Sequence, residues 1–187
     1  LARLGAFVRG LEPVHNSLRA LVLYHSLKDA RATGAYPRDL FREYLSIPRD
    51  VAYLAPRLRE RADAGTQRLA ELSNNYEPET GLAPIQNDEE LVRDYLANIL
   101  IDAKDLAGLD AMVDEQYLRS LQAQTRILAG DRETEKYASV LSPQEFQALR
   151  DRVDLEIAPS NPAHLAPADP VKLTVKVKNI KNLIVKA

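Results

Sequence analysis

Residues 142–178 read SPQEFQALRDRVDLEIAPSNPAHLAPADPVKLTVKVK, and the spacing of apolar positions changes inside this stretch. Ser142, Pro143 and Glu145 form a helix start: a hydroxyl that accepts from the first turn, a proline whose missing N–H costs nothing there, and a glutamate at the third position. The helix they open is expected to reach about Arg152. From there Val153, Leu155 and Ile157 alternate with Asp154 and Glu156, the period of two that marks a half-buried strand. Residues 158–170 carry Pro159, Pro162, Pro167 and Pro170, a composition that favours an extended linker over packing. Beyond them Val171, Leu173, Val175 and Val177 alternate with Lys172, Thr174, Lys176 and Lys178. Residues 179–181 can then turn into Leu183, Ile184 and Val185, which predicts a hairpin or two successive strands.

Upstream of residue 142 the signals are helical. Leu18, Leu21, Val22 and His25 fall at i, i+3, i+4 and i+7 of a helix over residues 16–33, with Asn16 or Ser17 available as cap and Gly34 just past its end. A short helix over residues 2–11 is ended by the Glu12-Pro13 step. Pro37 opens a helix with Leu40, Phe41, Tyr44 and Leu45 on one side, and Pro48 stops it. After Pro56 an arginine-rich, mostly exposed helix is expected to about Ser73. Residues 73–88, SNNYEPETGLAPIQND, lack periodicity and read as a long connecting loop. Asn87 and Glu90 have capping-box spacing before a helix with Leu91, Tyr95, Leu96, Ile99 and Leu100 on its apolar face. A further helix is expected over residues 110–129, using Met112, Val113, Tyr117, Leu121 and Leu128, with Gly130 as its left-handed end.

Composition bounds the function. At 187 residues with 45% hydrophobic and 28% charged positions, the chain has what a packed core requires. A net charge of −2 gives no field that favours nucleic acid, and no apolar run is long enough to span a bilayer. Without cysteine there are no disulfides, thiolate nucleophiles or thiolate metal sites. His15 and His25 would lie roughly 15 Å apart along one helix, too far to share an ion, and His164 falls in the linker. No catalytic residue, metal ligand or cofactor is therefore assigned, and ligand-binding residues stay open. No serine occupies a nucleophile elbow, and the glycines form no phosphate loop. Asp88, Glu89 and Glu90 read as helix-start carboxylates, and Asp102 with Asp105 as surface acids. Arg57, Arg59, Arg61 and Arg68 are interleaved with Glu60, Asp63 and Glu71, the pattern of a salt-bridged helix face. Tyr24, Tyr44, Tyr95, Tyr117 and Tyr137 read as core-edge residues with hydroxyls at water.

The run DPVKLTVKVKNIKNLIVKA, residues 169–187, resembles the opening strands of macroglobulin-type β-sandwich modules. That resemblance implies a large bacterial multidomain parent related to alpha-2-macroglobulins, and an extracytoplasmic location. The family's thioester chemistry requires a cysteine that is absent, so no site residue transfers.

The expectation is thus a mainly α protein. An irregular multi-helix domain fills residues 1–152, a strand and proline-rich linker residues 153–170, and the start of a truncated β module residues 171–187. A first residue other than Met and a strand-like end predict a segment of a longer chain. The leading function is a non-enzymatic interaction or spacer domain, with the 73–88 loop as contact surface and a protein partner or downstream domains as occupants. One alternative is an enzyme or small-ligand domain built from His25, Tyr24 and arginines of the neighbouring helix. Another is an anionic membrane-surface adaptor using Lys172, Lys176, Lys178, Lys181 and Lys186. An uncovered terminal strand also predicts strand-mediated self-association.

Overall fold

The computed structural model describes residues 1–63, 68–103, 105–106, 108–131, 135–161 and 171–184. The fold is mainly α, with one small antiparallel sheet. Helices α1 (Ala2–Arg9), α2 (Asn16–Ala32) and α3 (Arg38–Leu45) come first, followed by α4 (Pro56–Asp63) and the single turn α5 (Glu77–Thr80). Then come α6 (Glu89–Leu100), α7 (Glu115–Leu128), the single turn α8 (Glu135–Ala138) and α9 (Pro143–Asp151). Strands β1 (Asp154–Ile157) and β2 (Val175–Lys178) close the described chain.

Burial of apolar helix faces builds the core. Leu21, Leu23 and Leu27 of α2, Phe41 and Leu45 of α3, and Leu91, Tyr95, Leu96, Ile99 and Leu100 of α6 form one cluster with Leu118 and Leu121 of α7. The face predicted for α6 is the face that packs. On its far side α7 turns Ala123 and Ile127 towards Leu141, Phe146 and Leu149, a second cluster that seats α9. Phe41 stacks on Tyr95 at 4.9 Å between ring centroids, and the Tyr95 hydroxyl donates to the Leu27 carbonyl at 2.8 Å. The capping box at α9 forms as expected: the Ser142 hydroxyl accepts from the Glu145 N–H, and the Glu145 carboxylate accepts from the Ser142 N–H at 2.9 Å.

Several helix boundaries differ from the sequence reading, each because tertiary hydrogen bonds replace local ones. Neither expected cap of α2 caps it. The Asn16 amide is buried and donates to the Arg68 carbonyl at 2.7 Å, while the Ser17 hydroxyl accepts from the Glu71 N–H at 2.9 Å. These bonds, with Ala70 N–H donating to the Pro48 carbonyl, hold residues 68–71 extended against α2, so the helix expected to reach Ser73 ends earlier. Residues 110–113 lie outside α7 because Val113 bridges Leu54, with Ala55 N–H donating to Met112 and Asp114 N–H to Tyr53. Asp114 then caps α7 by accepting from the Tyr117 N–H at 2.9 Å. At the far end Gly130 takes the left-handed conformation, φ 78°, that the sequence assigned to it.

The strand expected at residues 153–157 is present, and it, rather than residues 183–185, pairs with the strand expected after residue 171. β1 pairs with β2 in antiparallel register, Leu155 opposite Val177 and Ile157 opposite Val175. No strand forms at Leu183 or Ile184, and Val185 lies outside the described residues, as do Pro162, His164, Pro167 and Pro170. The pairing is fixed where the two chains enter the ribbon. Ala158 N–H donates to the Thr174 carbonyl, and the Asn161 side chain both accepts from the Thr174 N–H and donates to its carbonyl, each at 2.7 Å. At the other end Asn179 takes a left-handed φ of 55° and donates to the carbonyls of Arg150 and Arg152.

Candidate interaction surfaces

A buried ion pair fixes the loops on which the surface stands. The Arg49 side chain is fully buried in the segment between α3 and α4, and Asp88 is buried at the start of α6. Arg49 Nε donates to Asp88 Oδ2 at 3.0 Å. The hydroxyls of Tyr44 and Tyr53 donate to the same oxygen at 2.5 Å, and Arg49 Nη1 donates to the carbonyls of Tyr44 and Ile47. Its Nη2 donates to the Tyr53 hydroxyl at 2.8 Å, and its guanidinium carbon stands 4.2 Å from the centre of the Tyr44 ring. Burying two charges is costly unless the pair is also hydrogen-bonded, and this pair is. Burial raises the Tyr44 and Tyr53 hydroxyls well above the ordinary phenol range, against the pull of Arg49 and with the help of Asp88. Burial alone would loosen the Arg49 proton, yet Tyr44, Tyr53 and Asp88 hold it more firmly than in water.

The residues singled out in the sequence are redistributed by this arrangement. Asp88 parts from its neighbours: Glu89 is exposed, and Glu90 receives Arg31 at 3.2 Å on the surface. Asp102 and Asp105 are exposed in the turn after α6. Tyr44 and Tyr95 are fully buried with hydroxyls on protein acceptors, so they are core residues and not core-edge ones. His25 is half-buried with its ring edge towards Tyr24, and its Nε2 lies 2.8 Å from the Ala83 carbonyl, where it fastens the 73–88 loop. His15 is exposed beside the start of α2. That loop is held at its base by Ile85 and Gln86 N–H groups donating to the Leu72 carbonyl, while Asn74, Asn75, Glu77 and Glu79 face solvent. Among the described residues no group of three or more His, Asp or Glu is placed to hold a metal, and no helix is long and apolar enough to cross a membrane.

Two clefts among the described residues bear on function. The first, about 600 Å³, lies between α7 and α9, and its Arg119 is already paired with Glu115 at 2.6 Å. The second, about 470 Å³, has a floor of Ile47, Pro48, Leu58 and Met112 and carries Arg19 and Arg57 at its rim. Arg57 donates to the carbonyls of Ala111 and Asp110, and Arg19 to the Asn16 side chain. Arg68 is exposed alongside, its carbonyl held by Asn16. None of these three arginines forms an ion pair with another described residue. One member of the arginine group noted in the sequence, Arg57, thus reaches the cleft with Arg19, which the sequence did not single out. The side chains of Arg59, Arg61 and Asp63 lie outside the described residues. Nothing in local spacing could have marked Arg49, whose partner is 39 residues away.

Such an arrangement defines a mainly α domain with a cation-rimmed groove among its described residues. The model of the actin-binding protein F N-terminal domain family matches residues 1–153, and the chain belongs to that family. Over 183 residues it is 25% identical to actin-binding protein F of Dictyostelium discoideum, a match covering 96% of the chain and 8% of that relative. The chain therefore spans less than a tenth of the length of the curated relative it matches. No solved structure gives a significant match. These findings overturn the resemblance to bacterial alpha-2-macroglobulin-like proteins, and the extracytoplasmic location that rested on it falls with it. The resemblance rested on apolar alternation in residues 169–187, which any strand with one covered face displays and which identifies no family.

Proposed function

We propose that the chain is a non-enzymatic protein-interaction domain of a larger cytoskeletal protein, and that it supplies a contact to actin. The observation that carries this reading is membership of a family of N-terminal domains whose curated relative is named for binding actin. The surface that fits is the groove between α2, the 46–49 segment and α4, where Arg19 and Arg57 stand over an apolar floor without a carboxylate partner among the described residues. Interface anchors combine apolar area with arginine in this way, and the charges add steering and a dependence on salt. A cytoplasmic setting follows from the same reading.

Co-sedimentation of the 187-residue chain with actin filaments tests it. The chain is expected to pellet with filaments, less so as salt shortens the reach of surface charge. Arg19→Glu should weaken binding by about tenfold, on the order of 1.4 kcal/mol, while the chain stays folded with at most the small loss of stability expected from its hydrogen bond to Asn16. A chain that stays in the supernatant at every filament concentration would show that actin is engaged elsewhere in the longer protein. Unchanged binding by Arg19→Glu would remove the groove from the proposal.

A further inference from the structure

The ribbon of β1 and β2 is turned the opposite way from a sheet that covers a helical core. One of its faces carries Asp154, Glu156, Lys176 and Lys178. Its Asp154–Lys178 end meets the helical body, where Lys178 Nζ donates to the Ile127 carbonyl near the end of α7 at 2.9 Å, and Tyr36 lies within the fields of Lys176 and Glu156, which are themselves about half exposed. Lys178 is well placed there, since a cation at a helix C-terminus is favoured by the exposed carbonyls and the dipole. Lys176 in turn pairs with Glu156 across the ribbon at 3.5 Å. The other face carries the apolar row, and it is open to solvent: Leu155 is 50% exposed, Ile157 62% and Val177 51%. Val153, Leu173 and Val171, which continue the row at both ends, are likewise exposed.

Register and anchoring prevent the ribbon from relieving this. Slipping the pairing by one residue would exchange the faces, but Asn161 on Thr174 and Asn179 on Arg150 and Arg152 fix it at both ends. A sheet of two strands is marginal by itself, and one with an uncovered apolar face is an incomplete layer. The family match ends at residue 153, where the apolar row begins, while similarity to the Dictyostelium relative takes in 96% of the chain and so enters the ribbon. In that relative the matched stretch is 8% of the length, which leaves ample polypeptide to supply a covering layer.

We infer that the apolar face of the ribbon is the seat of a second β-layer, contributed by polypeptide beyond the helical domain in the longer protein, so that residues 153–157 and 171–178 join two modules. The Asp154–Lys178 end grips the helical domain and the apolar face is the floor of the next module. The same assignment accounts for the lysines. Lys176 and Lys178 are engaged with protein groups, and the face left open is apolar, which suits packed side chains and not anionic head groups. This inference is independent of the actin reading, because it concerns the opposite end of the chain and a different occupant.

Hydrogen exchange of the full-length protein, compared with that of the 187-residue chain, tests the assignment. Leu155→Lys with Val177→Lys provides the control, since both positions are exposed and the helical core does not depend on them. Amides of residues 154–157 and 175–178 should exchange at least about tenfold more slowly in the full-length protein than in the shorter chain, and the double substitution should abolish that difference. Equal exchange in the two proteins overturns the inference, as does protection that survives the double substitution. Protection already present in the 187-residue chain, rising with its concentration together with the sedimentation coefficient, overturns it in favour of a second copy of the chain. Protection of that chain only on anionic vesicles would overturn it in favour of a lipid surface.

Discussion

The ion pair under the α3–α4 segment and the ribbon at the end of the described chain treat polar groups in opposite ways. In the first, Arg49 and Asp88 are removed from water inside an apolar core, and Tyr44, Tyr53 and two backbone carbonyls supply their hydrogen bonds. In the second, Lys178 is bonded to the helical body while the apolar side chains of Leu155, Ile157 and Val177 face solvent. A buried charge is tolerable when its partners are complete within the domain, and the core meets that condition. Exposed apolar side chains in a row are tolerable when something else covers them, and the helical domain does not. The core's polar groups are therefore satisfied within this chain, whereas the ribbon's apolar row is left to the outside layer proposed above.

Removing one member of the pair should break this contrast most severely. Arg49→Met keeps the volume but leaves Asp88 buried without its cation, and should cost about 3–5 kcal/mol in urea unfolding. A loss below about 1 kcal/mol would show that water or rearrangement satisfies Asp88, and that the core is less closed than described.

Alkaline titration sharpens the same contrast by a smaller amount. Tyr44 and Tyr53 are held neutral above the pH at which unfolded phenols ionise, and burial together with Tyr36 pushes the Tyr95 hydroxyl up to about 12. The folded state then binds more protons than the unfolded one above about pH 10, so stability is full below that pH and falls as pH rises beyond it. Tyr53→Phe should lower stability at neutral pH by about 1–3 kcal/mol by leaving acceptors unmet, and should make the alkaline decline shallower. An unchanged slope between pH 10 and 11.5 would locate the alkaline sensitivity elsewhere.

The smallest effect is expected at the ribbon. Leu155→Ser should change the stability of the 187-residue chain by no more than about 0.5 kcal/mol, because half of the side chain is already in water. A cost near that of a core leucine, about 2 kcal/mol or more, would mean that the face is covered within this chain.

Some local signals in the sequence held and one did not: at the Asn87–Glu90 spacing no capping box forms, since Asn87 accepts from the Glu89 N–H and Glu90 pairs with Arg31. The Ser142–Glu145 box and the left-handed Gly130 were legible because each is satisfied within a few residues, and the apolar face of α6 because its helical period shows the face whatever packs on it. Asn16 and Ser17 had the chemistry of caps, but chain 52 and 54 residues further on competed for them and won. The alternation in residues 153–157 and 171–177 revealed strands, since a period of two is set by the backbone. It could not reveal which face meets the helical body, because that depends on Lys178 finding the end of α7. The pair at the centre of the core was illegible. Arg49 follows a proline in an aperiodic segment, Asp88 sits where a helix-start carboxylate is expected, and only the fold makes them neighbours. The groove was half legible: Arg57 stood out within the arginine group, whereas Arg19 reaches the same place from another helix.

The hydrogen bonds between Asn161 and Thr174 close a neck at the base of the proline-rich stretch. Once a neck is closed by its own bonds, the entropy of the chain between its two sides grows only with the logarithm of its length, by about 0.6 kcal/mol per doubling. Evolution is thus free to lengthen, shorten or rewrite residues 162–170 while the ribbon stays in register, so length variation among relatives should collect there and spare the residues of the neck itself.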